Sequence, residues 1–193
     1  MFRLKLPTDP RWVNLAAMSL DEILTDHAYC EQKATSTCIS LIQNYPDREE
    51  LVKQLAPIVS EEWGHFRMVM AEMKRRKLKL GRQRKDEYVN ALRKLIRNGD
   101  RVERQLMDKL LVSALIEARS CERFRLLSEQ LPQPELRKFY RHFMESEAGH
   151  YTLFMKLARK YMPARDVNER WKFMLEEEKK IMEHLKVSGS RIH

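Results

Sequence analysis

Two tetrads, Glu62-Trp63-Gly64-His65 and Glu147-Ala148-Gly149-His150, decide the fold of this chain. Each is followed by an aromatic residue and lies in a long segment whose apolar residues recur with helical spacing. Because residues three apart on a helix share one face, the glutamate and the histidine of a tetrad can bind one metal ion together. Another glutamate, Glu31 or Glu117, precedes each tetrad at nearly the same distance along the chain. Four carboxylates and two imidazoles are the ligand set of a dinuclear metal centre in a four-helix bundle.

Capping and helix-breaking residues predict where the helices around these tetrads begin and end. Ser19 and Glu22 have the spacing of a capping box, and Gly81 is a helix stop. We therefore predict five long helices, the second of them bent near Pro57, at residues 19–44, 47–80, 101–130, 135–161 and 166–187. A short amphipathic helix at about 86–96 is predicted between the second and the third.

The lengths of the connections predict the topology. Helices one and two are joined tightly, as are helices three and four, so each pair should form an antiparallel hairpin. The stretch of residues 81–100 separates the hairpins and corresponds to the long crossover of ferritin-like bundles. The predicted fold is all-α: a ferritin-like four-helix bundle with a long crossover and an additional C-terminal helix, in a single domain of residues 1–193.

The positions of the candidate ligands relative to the turns support one site. Residues equally far from the turn of an antiparallel hairpin lie at the same height, and Glu31 and Glu62 differ by only one position in their distance from Pro46. Glu117 and Glu147 differ by two positions in their distance from the second turn. At a rise of about 1.5 Å per residue, these mismatches amount to about 1.5–3 Å. Glu122 is the nearest alternative to Glu117, but it would lie about 4.5 Å from the height of Glu147.

The two hairpins also repeat each other. The glutamates of the two tetrads are separated by the same number of positions as the histidines, and Glu31 and Glu117 by one position more. Two of the five glycines, Gly64 and Gly149, directly precede the histidines in the middle of helices. Glycine costs about 1 kcal/mol of helix stability relative to alanine. Its use at both equivalent positions predicts that either close packing or access to the site requires a residue without a side chain there.

Residues near the candidate ligands are predicted to have supporting or structural roles. His27 lies one turn before a ligand glutamate and is expected to support it or to be a core residue. Thr35 and Cys121 lie one turn after ligand glutamates and can line the pocket, although their positions are also those of ordinary core residues. Glu61 and Glu145 lie on other faces of their helices and are expected either to face solvent or to support the ligands. Carboxylates and imidazole suit iron or manganese, whereas thiolates would indicate zinc or iron–sulfur.

The charge of the chain points to a polyanionic partner. The net charge is +9 and the isoelectric point is near 9.5, which is common among nucleic-acid-binding proteins. Basic residues fill most of the stretch between positions 74 and 85. Such a run is usually a solvated face, but its length and uniform sign favour contact with phosphates. The residues predicted to contact nucleic acid are Lys74, Arg75, Arg76, Lys77, Lys79, Arg82, Arg84 and Lys85.

The remaining composition predicts a cytoplasmic protein. No apolar run approaches the roughly 20 residues needed to cross a membrane, and the charged, proline-containing N-terminus is not a secretory signal. The three cysteines, Cys30, Cys38 and Cys121, are odd in number and far apart, which favours reduced thiols.

Three stretches of the chain resemble the tRNA 2-methylthio-N6-isopentenyladenosine hydroxylases. They are Leu115-Ile116-Glu117-Ala118-Arg119-Ser120-Cys121-Glu122-Arg123-Phe124, Ser60-Glu61-Glu62-Trp63-Gly64-His65-Phe66 and Glu145-Ser146-Glu147-Ala148-Gly149-His150-Tyr151. The first is far more specific than a Glu-x-x-His pair, and the resemblance covers essentially the whole chain. It implies a ferritin-like fold with a non-haem di-iron site whose ligands are Glu31, Glu62, His65, Glu117, Glu147 and His150.

The resemblance also implies an activity. The expected reaction is the dioxygen-dependent hydroxylation of the isopentenyl group on a modified adenosine beside the tRNA anticodon. Two iron ions, dioxygen as co-substrate and an external electron donor would be required, because nothing in the chain resembles a flavin or NAD site.

Alternatives from other classes share parts of this pattern. An iron-storage protein or ferroxidase would have the same ligands, but it gives no reason for the basic run. A rubrerythrin-like peroxidase would normally add a Cys-x-x-Cys iron domain, which this sequence lacks. A purely structural helical bundle would bind no metal and would tolerate Glu117→Ala.

Overall fold

The computed structural model describes residues 2–193, and this part of the chain contains seven helices and no strand. The prediction of an all-α protein is therefore confirmed. None of the described helices is both long and apolar enough to span a bilayer. The helices are α1 (Trp12–Met18), α2 (Leu20–Asn44), α3 (Glu49–Arg75), α4 (Glu87–Arg93), α5 (Val102–Gln130), α6 (Pro134–Tyr161) and α7 (Ala164–His184).

The chain divides into two compact units, each built on one helical hairpin. The first-hairpin unit comprises residues 14–85 and 188–192 and contains α2 and α3. The crossover after α3 is bound to α2, because the Gly81 N–H donates to Thr25 Oγ1 at 3.3 Å and the Tyr29 hydroxyl donates to the Gly81 carbonyl at 3.0 Å. The C-terminal segment is bound to the same helix, since Arg191 Nη1 and the Ile192 N–H both donate to the buried Asp26 carboxylate.

The second-hairpin unit comprises residues 2–13, 86–187 and 193 and contains α4 to α7. Its core forms around α5, most of whose residues are buried. Arg119 of this helix is fully buried and donates to Glu178 Oε1 on α7 at 2.6 Å. Arg119 also donates to the Leu6 carbonyl at 2.9 Å, so the N-terminal segment is held against α5 and α7.

The tetrads lie on the buried stripes of α3 and α6. The buried residues of α3 follow helical spacing along its whole length: Leu51, Leu55, Ile58, Glu62, His65, Val69 and Met73. On α6 the corresponding stripe includes Leu136, Tyr140, Phe143, Glu147, His150 and Phe154. Glutamate and histidine thus occupy two successive core positions in the middle of each helix. This placement removes both side chains from solvent.

Four details of the predicted helices are wrong. Helix α3 ends at Arg75 and not near residue 80, because Lys77 adopts a left-handed φ of 59°. The N–H groups of Leu78 and Lys77 then donate to the carbonyls of Met73 and Lys74, which is the Schellman pattern that ends a helix. Helix α7 ends at His184 and helix α4 at Arg93, each three residues early, and α1 was not predicted.

The predicted capping box at the start of α2 does not form. Ser19 is the N-cap residue as predicted, but its side chain makes no capping hydrogen bond. Because α1 ends only one residue earlier, the Ser19 N–H donates to the Ala16 carbonyl at 3.2 Å. The backbone continues almost directly from one helix into the next.

Candidate metal centre

The first hairpin brings Glu31, Glu62 and His65 together. One ligand atom from each of these residues lies within 4.8 Å of the others. His65 Nδ1 is 3.2 Å from Glu62 Oε2 and 3.5 Å from Glu31 Oε2, so this nitrogen faces both carboxylates. At most 3% of each of the three residues is exposed. We call this group the first triad.

His27 and Thr35 hold the Glu31 segment of α2. His27 is fully buried, and its Nε2 lies 2.7 Å from Glu31 Oε1, so it can orient that carboxylate. The Thr35 hydroxyl donates to the backbone carbonyl of Glu31 at 3.0 Å. His27 therefore acts on the carboxylate, whereas the hydroxyl of Thr35 is engaged by the helix backbone.

The second hairpin brings Glu117, Glu147 and His150 together in the same way. One ligand atom from each lies within 4.8 Å of the others, and all three residues are buried. His150 Nδ1 lies 3.5 Å from Glu147 Oε2, which matches the arrangement of the first triad. Within residues 2–193, Glu147 Oε2 accepts no hydrogen bond. We call this group the second triad.

Each triad fits a metal cation. Two ligands about 2.1 Å from one ion lie about 3.0–3.4 Å apart, close to the nitrogen–oxygen distances of 3.2 and 3.5 Å in the triads. Two buried carboxylates also need a positive partner, because burying their charge without one is costly. A buried carboxylate oxygen without a hydrogen bond, as in Glu147, is a group that a cation would satisfy.

The buried cysteines do not add thiolate ligands to the triads. Burial and the charge of Glu62 raise the pKa of the Cys38 thiol to about 12. Burial and the charge of Glu147 likewise raise the pKa of Cys121 to about 12, and its thiol donates to the Met144 carbonyl. The residues that the two triads bring within ligand distance are glutamates and histidines, so the donor set consists of oxygen and nitrogen, which suits iron or manganese.

Glu122, the alternative to Glu117, has a structural role. It forms an ion pair with Arg119, and it accepts hydrogen bonds from the N–H and the hydroxyl of Thr8 at 3.1 and 2.7 Å. Sequence reasoning missed this cluster, which also contains Glu178 and Tyr88. The available signal was Arg119 itself, an arginine within the largely apolar run of residues 110–121.

The two other glutamates near the tetrads lie at the surface. Glu61 is on the outside of α3, with 45% of its side chain exposed, and its Oε1 is 3.9 Å from His65 Nε2. Glu145 is exposed on α6.

Three of the eight predicted tRNA-contacting residues are held by the protein itself. Arg75 and Arg76 both donate to the Glu72 carboxylate, and Arg84 donates to the backbone carbonyls of Glu22 and Ser190. The other five residues are exposed in the first-hairpin unit: Lys74, Lys77, Lys79, Arg82 and Lys85.

Comparison with known proteins gives consistent matches. The family model described as tRNA-(ms2io6A)-hydroxylase (MiaE) matches residues 2–193. A Pseudomonas putida protein described as tRNA 2-(methylsulfanyl)-N(6)-isopentenyladenosine(37) hydroxylase is 39% identical over 161 residues, covering 83% of this chain and 77% of that protein. A Salmonella typhimurium protein with the same description is 29% identical over 224 aligned positions, covering 91% of this chain and 82% of that protein.

A solved structure confirms the fold class. The Synechococcus protein described as Protein 43 with aldehyde deformylating oxygenase activity matches with a TM-score of 0.92 and 34% sequence identity. The match covers 98% of this chain and 94% of that one. The prediction of a ferritin-like all-α fold is therefore confirmed.

Proposed function

This chain belongs to the tRNA-(ms2io6A)-hydroxylase (MiaE) family, and we propose that it hydroxylates the isopentenyl group of 2-methylthio-N6-isopentenyladenosine beside the tRNA anticodon. The observation that carries this proposal is the pair of buried Glu-Glu-His triads, repeated with nearly constant spacing on two helical hairpins. Two relatives described as tRNA hydroxylases, aligned over most of the chain, support the choice of substrate.

In this proposal the six residues of the two triads would together hold two iron ions. Bound iron would supply the redox chemistry that activates dioxygen and inserts one oxygen atom into a C–H bond. The second oxygen atom leaves as water, so two electrons must come from an external donor. The register of the ligands about each turn supports each half of this ligand set, and ferritin-like bundles are the precedent for combining two such halves. The proposed ligands are Glu31, Glu62, His65, Glu117, Glu147 and His150.

The protein's own side chains prepare this centre. The four carboxylates balance the charge of two divalent ions, and His27 orients the Glu31 carboxylate from one helical turn away. The buried stripes of α3 and α6 place apolar residues above and below the ligands, for example Val69 and Phe154. These residues exclude water, which protects a reactive centre from side reactions.

The exposed cations of the first-hairpin unit provide a surface for the tRNA backbone. Lys74, Lys79 and Arg82 lie at the end of α3 and in the crossover, with their side chains exposed. A phosphate backbone is attracted to such a group of positively charged side chains, with an affinity that falls as salt rises. An aliphatic aldehyde or an iron mineral would gain nothing from this surface.

The reaction is tested by supplying the iron-loaded protein with a chemical reductant, dioxygen and prenylated tRNA. We expect nucleoside mass analysis to show one added oxygen on the hypermodified adenosine. Glu117→Ala should abolish this product and lower the iron content, whereas Glu145→Ala, which removes an exposed glutamate near a tetrad, should leave both unchanged. Conversion of a long-chain aldehyde, or ferrous oxidation with mineral formation, without any tRNA product would replace the proposal by an alternative.

The tRNA surface is tested separately by charge reversal. We expect the triple variant Lys74→Glu, Lys79→Glu, Arg82→Glu to weaken tRNA binding at least tenfold, with a smaller dependence on salt and unchanged iron content. The matched control reverses three exposed lysines of α6, Lys138, Lys156 and Lys160, with the same change in net charge. Equal loss of affinity in both variants would show that only the net charge matters.

A further inference from the structure

An aromatic and basic stripe runs along the outward side of α3. Trp63, Arg67, Met70 and Lys74 follow one another at intervals of four, three and four residues, so they lie on one face of the helix. Trp63 has 46% of its surface exposed, and its ring stacks on that of Phe66 with a centroid distance of 4.9 Å and an angle of 21°. Arg67 and Lys74 are exposed, and Met70 is half-buried.

The second hairpin has no aromatic residue at the position that corresponds to Trp63, because the second tetrad has Ala148 there. Tyr151 directly follows its tetrad, as Phe66 follows the first. Its ring contacts Trp171 of α7 at 5.9 Å and Phe2 of the N-terminal segment at 4.3 Å. Phe66 and Tyr151 are both partly buried, so the exposed ring of Trp63 is the aromatic feature that distinguishes the first hairpin from the second.

The chemistry of the stripe matches an unpaired stretch of RNA. An exposed aromatic face stacks on any nucleobase, and neighbouring cations neutralise the phosphates that follow it. Trp63 and Lys74 are three helical turns apart, which is about 16 Å along the helix. A Cβ added at Gly64 would meet no described heavy atom within 4 Å, so there is open space beside the helix next to Trp63.

The stripe also begins at the first triad. Trp63 directly follows Glu62 in the sequence and precedes His65 by two residues, while Lys74 lies at the start of the basic run. A nucleic acid bound along the stripe would therefore run along α3, from the basic surface at its end to the level of Glu62 and His65, two of the proposed iron ligands.

We propose that this stripe binds the unpaired loop of the tRNA substrate, with Trp63 stacking on a base near the modified adenosine and Arg67 and Lys74 contacting phosphates. This inference depends on the proposed function, since it takes the tRNA loop to be what must reach the metal ligands. The inference makes Trp63 a residue that positions a base of the RNA, which the cations of the basic run alone do not do.

The fluorescence of Trp63 gives a direct test. Of the three tryptophans, Trp12 and Trp171 are buried, with 0% and 6% exposure, so a component accessible to iodide reports on Trp63. A prenylated anticodon stem-loop should quench this component and protect it from iodide. A blunt duplex of the same stem should do neither, because it offers no unpaired base. Equal quenching by the stem-loop and the duplex would contradict stacking.

Binding of the same stem-loop to variants completes the test. We expect Trp63→Ala to weaken binding about 5- to 150-fold, and Trp63→Phe to retain most of the affinity. Phe173→Ala is the matched control, because Phe173 is also an aromatic residue with 46% exposure but lies on α7. Lys74→Ala should reduce the slope of log affinity against log salt by about 0.7, the value for one phosphate of a single strand. Thermal unfolding checks that each variant is folded.

The outcomes separate this inference from the proposed function. If Trp63→Ala binds the stem-loop as tightly as the wild type, the stripe is not the RNA surface, even when the iron-loaded protein hydroxylates tRNA. If the wild type forms no hydroxylated nucleoside but binds the stem-loop through Trp63, the inference stands and the proposed reaction fails.

Discussion

Gly64 and Gly149 are not required by packing. A Cβ added at either position would meet no described heavy atom within 4 Å. Of the two reasons predicted for these glycines, close packing and access to the site, close packing is therefore wrong. We predict that Gly64→Ala and Gly149→Ala each raise the free energy of unfolding by about 1 kcal/mol, and Tm by about 2–4 °C, because alanine favours the helix. Thermal and denaturant unfolding of the iron-free protein measure this.

Gly189→Ala is the control for that prediction. A Cβ at Gly189 would overlap the backbone of Leu15, so this substitution should lower stability. A loss of stability in the two helix variants would contradict the prediction. If the variants are more stable but lose turnover with tRNA, the two glycines serve access to the centre.

The residues of the two triads were predictable because their spacing is local. Distance from a turn can be counted along the sequence, and it leads to the same groups that the structure brings together within each hairpin. The bonds from Thr8 to Glu122 join residues 114 positions apart, and no pattern along the chain predicts such a contact. The sequence predicts that Glu122 is not a ligand, because it would lie at a different height from Glu147. Its bonds to Arg119 and Thr8 depend on the fold and are not predictable from the sequence.

At the scale of the elements, the end of α3 provides a second prediction. Lys77 closes the Schellman pattern in a left-handed conformation, which costs an L-residue with a side chain about 1 kcal/mol or more relative to glycine. Lys77→Gly should therefore raise the free energy of unfolding by about 1 kcal/mol. Lys77→Ala, which removes the charge but keeps the Cβ, should not. Denaturant unfolding at fixed salt compares the two variants, and equal stability would show that the backbone conformation is not the cause.

Asp108 connects three segments of the second-hairpin unit. Its fully buried carboxylate accepts hydrogen bonds from Arg97 ahead of α5 and from Arg170 on α7, at 2.8 and 2.9 Å. Burial alone would raise the pKa of Asp108, but the bonds from the two arginines outweigh it and leave the pKa below the ordinary value of 3.8. The carboxylate therefore remains charged down to low pH.

We predict that Asp108→Asn lowers the free energy of unfolding by about 3 kcal/mol, because two guanidinium groups lose their buried partner. Since the pKa is lower in the folded state, the contribution of the carboxylate is complete above about pH 4 and is lost as the pH falls through the folded-state value. The difference between wild type and variant should thus be constant from about pH 5 to 7 and shrink in acid. Asp100→Asn, at a half-exposed site, should change stability much less.

The long helices were predictable, as were the ends of α2, α5 and α6, whereas the ends of α3 and α7 and the short helix α1 were not. All five long helices begin within two residues of their predicted starts, because their buried stripes continue over 21 residues or more. Helix α1 has only seven residues, and its burial of Trp12 and Ala16 is set by the tertiary structure. Gly81 was a reasonable stop signal, but the chain turns earlier at Lys77.

At the scale of the whole molecule, the two triads belong to different compact units, and the single domain of residues 1–193 remains a prediction. The proposed shared centre makes this prediction testable, because metal ions bound by both hairpins would couple their unfolding. A ligand that binds only the folded state at a thousandfold excess over its Kd adds about 4 kcal/mol to stability. For a chain of this length, that corresponds to a rise in Tm of roughly 8–16 °C.

We therefore predict one cooperative unfolding transition for the iron-loaded protein, and a fall in its Tm of about 10 °C after chelation. Glu62→Ala, which alters only the first triad, should lower bound iron from two ions per chain towards none, because in a shared centre the loss of one ligand would weaken the binding of both ions. The control Glu61→Ala changes the neighbouring, half-exposed glutamate and should retain the iron. Calorimetry and metal analysis measure both quantities. Two separate transitions, or one iron ion kept at full affinity by Glu62→Ala, would mean that each hairpin binds its metal independently.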